Sequence, residues 1–182
     1  MLYLNRKTYA CGDYDYALKD DGTAEIVLYL GNAGYLTVPE QMNGHPVAGV
    51  GNPAFQDCVT LKAVTLPPGV KYIETAAFWG CKRLKQIVIP EGVTRIGQAA
   101  FRDCKSLREL TIPEGVTRIE PRAFENCQSL RRIRLPRSLM RLERWAFRGC
   151  PGSLLTAVVP RDSYAEKYCQ KNGLMYRYGG AD

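Results

Sequence analysis

Leu84-Lys85-Gln86-Ile87-Val88-Ile89-Pro90-Glu91-Gly92-Val93-Thr94-Arg95-Ile96-Gly97-Gln98-Ala99-Ala100-Phe101-Arg102-Asp103-Cys104-Lys105-Ser106 decides the fold, because the chain repeats its pattern on both sides. Phe55, Phe78, Phe101, Phe124 and Phe147 follow one another at intervals of 23 residues. Each is preceded by Ala (Ala54, Ala77, Ala100, Ala123, Ala146) and followed three residues later by Cys (Cys58, Cys81, Cys104, Cys127, Cys150). Leu61, Leu84, Leu107 and Leu130 keep the same period, as do Pro67, Pro90, Pro113 and Pro136. Complete copies occupy 61–83, 84–106, 107–129 and 130–152. An earlier copy holds Leu36, Val38 and Pro39, with a five-residue insertion around Met42-Asn43-Gly44 before Val47 and Val50. A degenerate last copy, shifted by one inserted residue, places Leu154, Ala157, Val159 and Pro160.

Elementary rules turn this lattice into an architecture. Leu-x-x-Ile-x-Ile alternates with period two and stops at Pro, which cannot donate to a ladder, so it is a short strand. Val-x-x-Ile is a second short extended piece, and Ala-Phe-x-x-Cys is a compact turn or 3₁₀-like piece. One unit cannot bury its apolar face alone, whereas stacked units bury a continuous core. The expected fold is therefore a repeat solenoid, mainly β, a right-handed coil of the leucine-rich-repeat type. We read 1–182 as a single domain: a β cap over 1–35, an interrupted repeat over 36–60, four full repeats over 61–152, and a degenerate repeat plus cap over 153–182. In the first cap, strands at 13–19 and 24–30 flank the turn Asp20-Asp21-Gly22-Thr23. In the last, Ser163 and Glu166 have capping-box spacing, 165–172 is a helix ended by Gly173, and 174–178 is a strand. Ten of the eleven tyrosines lie outside 61–152, where amphipathic rings can seal an apolar end.

Ile89-Pro90-Glu91-Gly92-Val93-Thr94-Arg95-Ile96, followed by Ala100-Phe101-x-x-Cys104-x-x-Leu107, resembles the BspA-like, treponemal-type leucine-rich repeat family. Asp21–Ile26, Val38-Pro39 and Asn43–Val47 are similar to that family's amino-terminal cap. Val159-Pro160-x-x-Ser163-x-Ala165-x-x-Tyr168 through Asn172-Gly173 matches its usual ending. The resemblance implies a bacterial surface or secreted protein engaged in adhesion or protein binding, and it carries over no catalytic residue. The chain itself shows no surface-sorting motif or Ser/Thr-rich stalk, and Met1–Lys7 has no apolar h-region. The expectation from the residues is thus a cytoplasmic protein, unless a leader once preceded Met1.

Composition is that of a globular protein, 46% apolar and 24% charged, which excludes collagen-like and wholly disordered chains. No apolar stretch is long enough to span a bilayer. The single histidine, His45, argues against Ser-His-Asp or Cys-His catalysis and is expected in an exposed loop of the cap. Five of the seven cysteines share one lattice column and read as small buried hydrophobes, leaving Cys11 and Cys169, both in the caps, as the candidates to be reactive or paired. Rungs about 4.8 Å apart are poorly placed for the ~3.8 Å Cβ separation of a disulfide, and a linear ladder offers zinc no tetrahedron. Gly49-x-Gly51-x-x-Ala54 mimics a dinucleotide fingerprint, yet no βαβ unit surrounds it and the repeat register already accounts for it. No metal, cofactor or catalytic site is expected.

Charge is the remaining lead. The net +7 is distributed as −4 over 1–60 (3 basic, 7 acidic), +10 over 61–152 (18 basic, 8 acidic) and +1 over 153–182. Thirteen of those 18 are Arg, and the repeat 130–152 holds seven Arg against Glu143 alone. Exposed strand columns read Ala63, Gln86, Glu109, Arg132 and Thr65, Val88, Thr111, Arg134. A column in the second segment reads Tyr72, Arg95, Arg118, Arg141, which Glu74, Glu91, Glu114, Glu120 and Glu143 can partly offset. On one reading a basic face simply keeps a solenoid soluble. As an interaction surface it nominates Arg132, Arg134, Arg95, Arg118, Arg141, Tyr72, Val88 and Thr111. The expected function is a non-enzymatic, monomeric protein-binding module. The alternative is electrostatic binding of a polyanion, either nucleic acid or acidic glycan.

Overall fold

The structure is a computed structural model and describes residues 7–179, so the reading of the amino terminus lies outside the described residues except for Lys7. Three strands open the chain: β1 (Thr8–Cys11), β2 (Tyr14–Leu18) and β3 (Ala24–Tyr29). They pair antiparallel, with Thr23 bonded to Asp21 in the turn between β2 and β3. The interrupted repeat supplies β4 (Tyr35–Thr37), β5 (Gln41–Met42) and β6 (His45–Val50). Each full repeat then adds two short strands. They are β7 (Ala63–Thr65) and β8 (Tyr72–Ile73), β9 (Gln86–Val88) and β10 (Arg95–Ile96), β11 (Glu109–Thr111) and β12 (Arg118–Ile119), and β13 (Arg132–Arg134) and β14 (Arg141–Leu142). β15 (Thr156–Val159), α1 (Tyr164–Asn172) and β16 (Tyr176–Tyr178) close the coil.

The lattice is visible in the register. Ala63 pairs with Gln86 and Arg95 with Arg118, so equivalent residues of successive repeats stack directly on one another. β3, β6, β8, β10, β12 and β14 form one continuous parallel run on one side of the coil. A third ladder runs through the turns, where Phe78 N–H donates to Ala100 O and Phe101 N–H to Ala123 O, both at 2.8 Å. The turns bend through positive φ at Ala76, Ala99, Arg122 and Trp145, and again at Asp57, Asp103 and Asn126. They are turns rather than 3₁₀ helix, which among the described residues is confined to Gly152–Leu154.

On the other side of the coil the ladder is interrupted. β4, β7 and β9 form one sheet and β11, β13, β15 and β16 another. Neighbouring repeats are joined there by bonds such as Lys85 N–H to Lys62 O (2.8 Å) and Arg131 N–H to Arg108 O (2.8 Å). Among the described residues no such bond links β9 to β11.

The core is the stacked lattice. Phe55, Phe78, Phe101 and Phe124 are fully buried, and consecutive rings lie 4.9, 5.3 and 5.7 Å apart within 9° of parallel. Phe147 continues the stack at 5.5 Å but is only half-buried, because it is the last ring. Tyr29 covers the opposite end, tilted by 40° on Phe55. Beside the rings, Cys81, Cys104, Cys127 and Cys150 each donate a thiol hydrogen bond to the Phe carbonyl of the preceding repeat. All seven cysteines are free thiols. The column is buried only in its interior: Cys58 and Cys150, at its ends, are half-buried, whereas the cap residue Cys169 is buried.

The end cap follows its chemistry. Ser163 Oγ accepts the Glu166 N–H at 3.1 Å, the Glu166 carboxylate accepts the Asp162 N–H, and Gly173 takes the left-handed cap conformation. His45 lies in β6 rather than in an exposed loop, its Nδ1 2.9 Å from Gly22 O. Gly49 and Gly51 are packing residues. A Cβ at Gly49 would strike the Tyr72 ring, and one at Gly51 would lie 2.6 Å from Ile26 O.

Candidate functional site

Alternation within each three-residue strand sorts side chains in and out. Ile87, Leu110 and Ile133 point into the core, so Gln86 and Val88, Glu109 and Thr111, and Arg132 and Arg134 point out. The nominated residues Val88, Thr111, Arg132 and Arg134 therefore share one face. Val88 and Thr111 flank the interruption between β9 and β11, where an open cavity of about 610 Å³ is lined also by Lys85, Gln86, Arg108 and Glu109. Val88 is 48% exposed there. Arg132 pairs with Glu109 at 3.1 Å across the rungs, and Arg134 lines a smaller hollow of about 200 Å³ with Thr111, Glu91 and Glu114. Partial burial pushes the Glu114 carboxyl up, but the Arg137 and Ser138 N–H groups it accepts outweigh this and hold its pKa below the usual range.

The other four nominated residues lie on the second run of strands, not on this face. There Tyr72, Arg95, Arg118 and Arg141 stack in register. Their charge is not bare. Arg95 pairs with Glu74 and with Glu120 (3.6 Å), Arg118 with Glu120 (3.6 Å) and Glu143 (3.9 Å), and Arg141 with Glu143. The result is a zigzag of alternating sign. Exposed pairs are worth only about 0–1 kcal/mol each, but here they cancel the repulsion that stacked guanidiniums would otherwise impose. Tyr72 ends this column by donating to the Glu25 carboxylate at 2.8 Å, with the Lys19 ammonium over its ring.

Basic groups also gather around the turns. Buried Glu125 draws in Arg102 (3.2 Å), Arg148 (3.8 Å) and Arg122 (4.0 Å). Arg102 lies over the Trp79 ring, while Arg122 and Arg144 lie over that of Trp145, at 5.0 and 4.3 Å. Reading the sequence by columns missed Trp145 and Arg144. Their signal is a departure from the lattice, since the turn position of Trp145 is Ala in two other repeats, at Ala76 and Ala99.

Among the described residues no group of three or more His, Cys, Asp or Glu side chains is placed to hold a metal ion, and no helix is long and apolar enough to cross a membrane. The site offers shape, apolar surface and cations.

Several bacterial proteins of solved structure have a similar coil. A leucine-rich repeat protein of T. pallidum is 34% identical, with a TM-score of 0.78 over 83% of this chain and 71% of that one. A leucine-rich repeat protein of Bacteroides capillosus is 30% identical, with a TM-score of 0.62 over 69% of this chain and 96% of that one. A protein of Faecalibacterium prausnitzii, described as a leucine rich cell surface protein, is 26% identical, with a TM-score of 0.59 over 87% of this chain and 55% of that one. No curated protein matches the chain. The model of the BspA type leucine rich repeat region matches residues 40–165 in six copies. With the 23-residue lattice, the stacked phenylalanines and these neighbours in agreement, the chain belongs to the BspA-type leucine-rich repeat family.

Proposed function

We infer that the chain is a non-enzymatic protein-binding module, serving adhesion or another interaction, and that its partner docks on the face formed by β7, β9, β11 and β13. Leucine-rich repeat proteins are in general interaction modules, whose rigid core presents exchangeable outward side chains. The observation that carries the assignment is the exposed Val88 beside the cavity at the β9–β11 interruption, with Thr111 opposite and Arg132 and Arg134 beyond. An exposed aliphatic side chain beside arginines is compatible with a protein interface, where Arg is enriched. The polyanion reading is less well supported, because Glu74, Glu120 and Glu143 neutralise the Arg95–Arg118–Arg141 column on which it leaned. The neighbour described as a cell surface protein supports an adhesive setting.

Affinity capture from candidate partner sources, at about 50 and 200 mM salt, tests this reading with the wild type and Val88→Glu/Arg132→Glu/Arg134→Glu. A partner retained by the wild type at both salts and lost by the variant is the expected outcome. Equal recovery by both proteins refutes the strand-face assignment, and capture that vanishes steeply with salt favours a polyanion.

A further inference from the structure

We propose that the cleft between the last full repeat and α1 is a second binding site, one that takes an acidic peptide segment of a partner protein. The cavity there measures about 570 Å³, and Arg144, Trp145, Tyr164, Lys167, Tyr168 and Lys171 line it. It lies apart from the strand face, so either reading can fail without the other.

Three observations converge on this cleft. The first is charge. Three cations line the cavity and, among the described residues, no Asp or Glu does. The nearby carboxylates are turned elsewhere: Glu143 pairs with Arg141 and Arg118, and Glu166 receives the Tyr178 hydroxyl and the Asp162 N–H. The second is helix periodicity. Tyr164, Lys167, Tyr168 and Lys171 fall on one face of α1, while Ala165 and Cys169 bury the face next to it. The third is Trp145 itself, 43% exposed on the wall of this cavity. Ala76, Ala99 and Arg122 make the same turn, so the lattice does not require tryptophan there.

The chemistry selects the class of ligand. Nucleobases stack on bare aromatic faces. The Trp145 ring instead carries the Arg144 guanidinium at 4.3 Å and that of Arg122 at 5.0 Å. What the cleft presents is an oriented planar fork and two ammonium groups, and the fork matches a carboxylate in bidentate fashion. Tyr164, fixed by accepting the Leu142 N–H at 3.2 Å, adds an amphipathic wall.

Fluorescence anisotropy with a labelled oligoglutamate peptide of about ten residues tests the site. The variants are Arg144→Gln/Lys167→Gln/Lys171→Gln, the control Lys82→Gln/Arg83→Gln/Lys105→Gln with the same loss of charge, and Trp145→Ala. Far-UV circular dichroism checks that each is folded. Affinity should fall at least tenfold in the cleft triple variant, at least threefold in Trp145→Ala and less than twofold in the control. No binding by the wild type, equal losses in the two triple variants, or unchanged affinity in Trp145→Ala overturns the proposal. So does tighter binding of oligothymidylate or a sulfated oligosaccharide than of oligoglutamate, if the cleft variant abolishes it.

Discussion

Replacing Phe101 by alanine removes the middle ring of a stack of five. Phe101 is fully buried, with Phe78 at 5.3 Å on one side and Phe124 at 5.7 Å on the other. A buried Phe→Ala change costs about 3–5 kcal/mol, depending on how far the surroundings collapse. Here they cannot collapse far. The turn ladder sets the separation of the rungs, through Phe78 N–H to Ala100 O and Phe101 N–H to Ala123 O, and those backbone bonds survive the substitution. The loss should therefore lie near the upper end, about 4–5 kcal/mol, with both ring contacts gone. Phe147 provides the internal comparison, since it is half-buried and has one stacked neighbour, Phe124 at 5.5 Å. Its replacement by alanine should cost about 2–3 kcal/mol. Urea unfolding measures both, followed by circular dichroism and by the fluorescence of Trp79 and Trp145, which sit in different repeats. Against a typical total of about 5–15 kcal/mol, Phe101→Ala should bring the chain close to unfolding at room temperature. A cost below about 1 kcal/mol, or equal costs at the two positions, would refute the view that the stacked column holds the coil together.

Thiol chemistry supplies further tests. The neighbouring Cys150 thiol and burial both raise the pKa of Cys127, whose proton is given to Phe101 O, and the contact between the two thiols lowers that of Cys150. With iodoacetamide at pH 8, half-buried Cys150 should be alkylated before Cys81, Cys104 and Cys127, as read by peptide mass mapping; the reverse order contradicts the burial pattern. Burial also raises the thiols of Cys81 and Cys104, and takes Cys58 and Cys169 to about 11. A folded pKa above the unfolded one keeps stability intact below about pH 8.5 and erodes it as pH rises from there toward the folded value. Three interior thiols at about 1.4 kcal/mol per pH unit each imply a loss of about 4 kcal/mol per unit above pH 9. A chain equally resistant to urea at pH 8 and pH 10 would be inconsistent with a protonated ladder.

How much of this was legible in the sequence depends on whether a feature repeats. The phenylalanine stack, the two strands of each repeat and the outward columns follow from a 23-residue period, because equivalent residues must meet when the coil closes. The capping box at Ser163 and Glu166 is a local rule, and α1 starts where that rule says. The unread features belong to junctions. β1 pairs with β2 through Tyr9 and Tyr16, outside any lattice column. The end positions Cys58, Cys150 and Phe147 obey the lattice yet lack a full neighbour, so membership of the column overstated their burial. Two of the nominated groups, around Val88 and around Arg118, lie on different strand runs, because a flat list of columns does not say how the coil turns between them. The cleft under α1 depends on how the cap packs on repeat 130–152, which no periodicity encodes.

The interruption between β9 and β11 also bears on cooperativity. In a linear array each repeat communicates only with its neighbours, and the strength of each junction is set by what crosses it. Every other junction of the full repeats has strand bonds on both sides of the coil, whereas this one relies on the β10–β12 pairing, the turn bonds and the contact of Phe101 with Phe124. The chain is thus partitioned into a nearly neutral amino-terminal block (net +1 over 1–106) and a basic carboxy-terminal block (net +6 over 107–182) that meet at a compliant joint. Amide hydrogens facing that joint, on Ile87 and Thr111, should exchange ahead of their equivalents in β7 and β13, and a partner spanning both blocks would tie them into one cooperative unit.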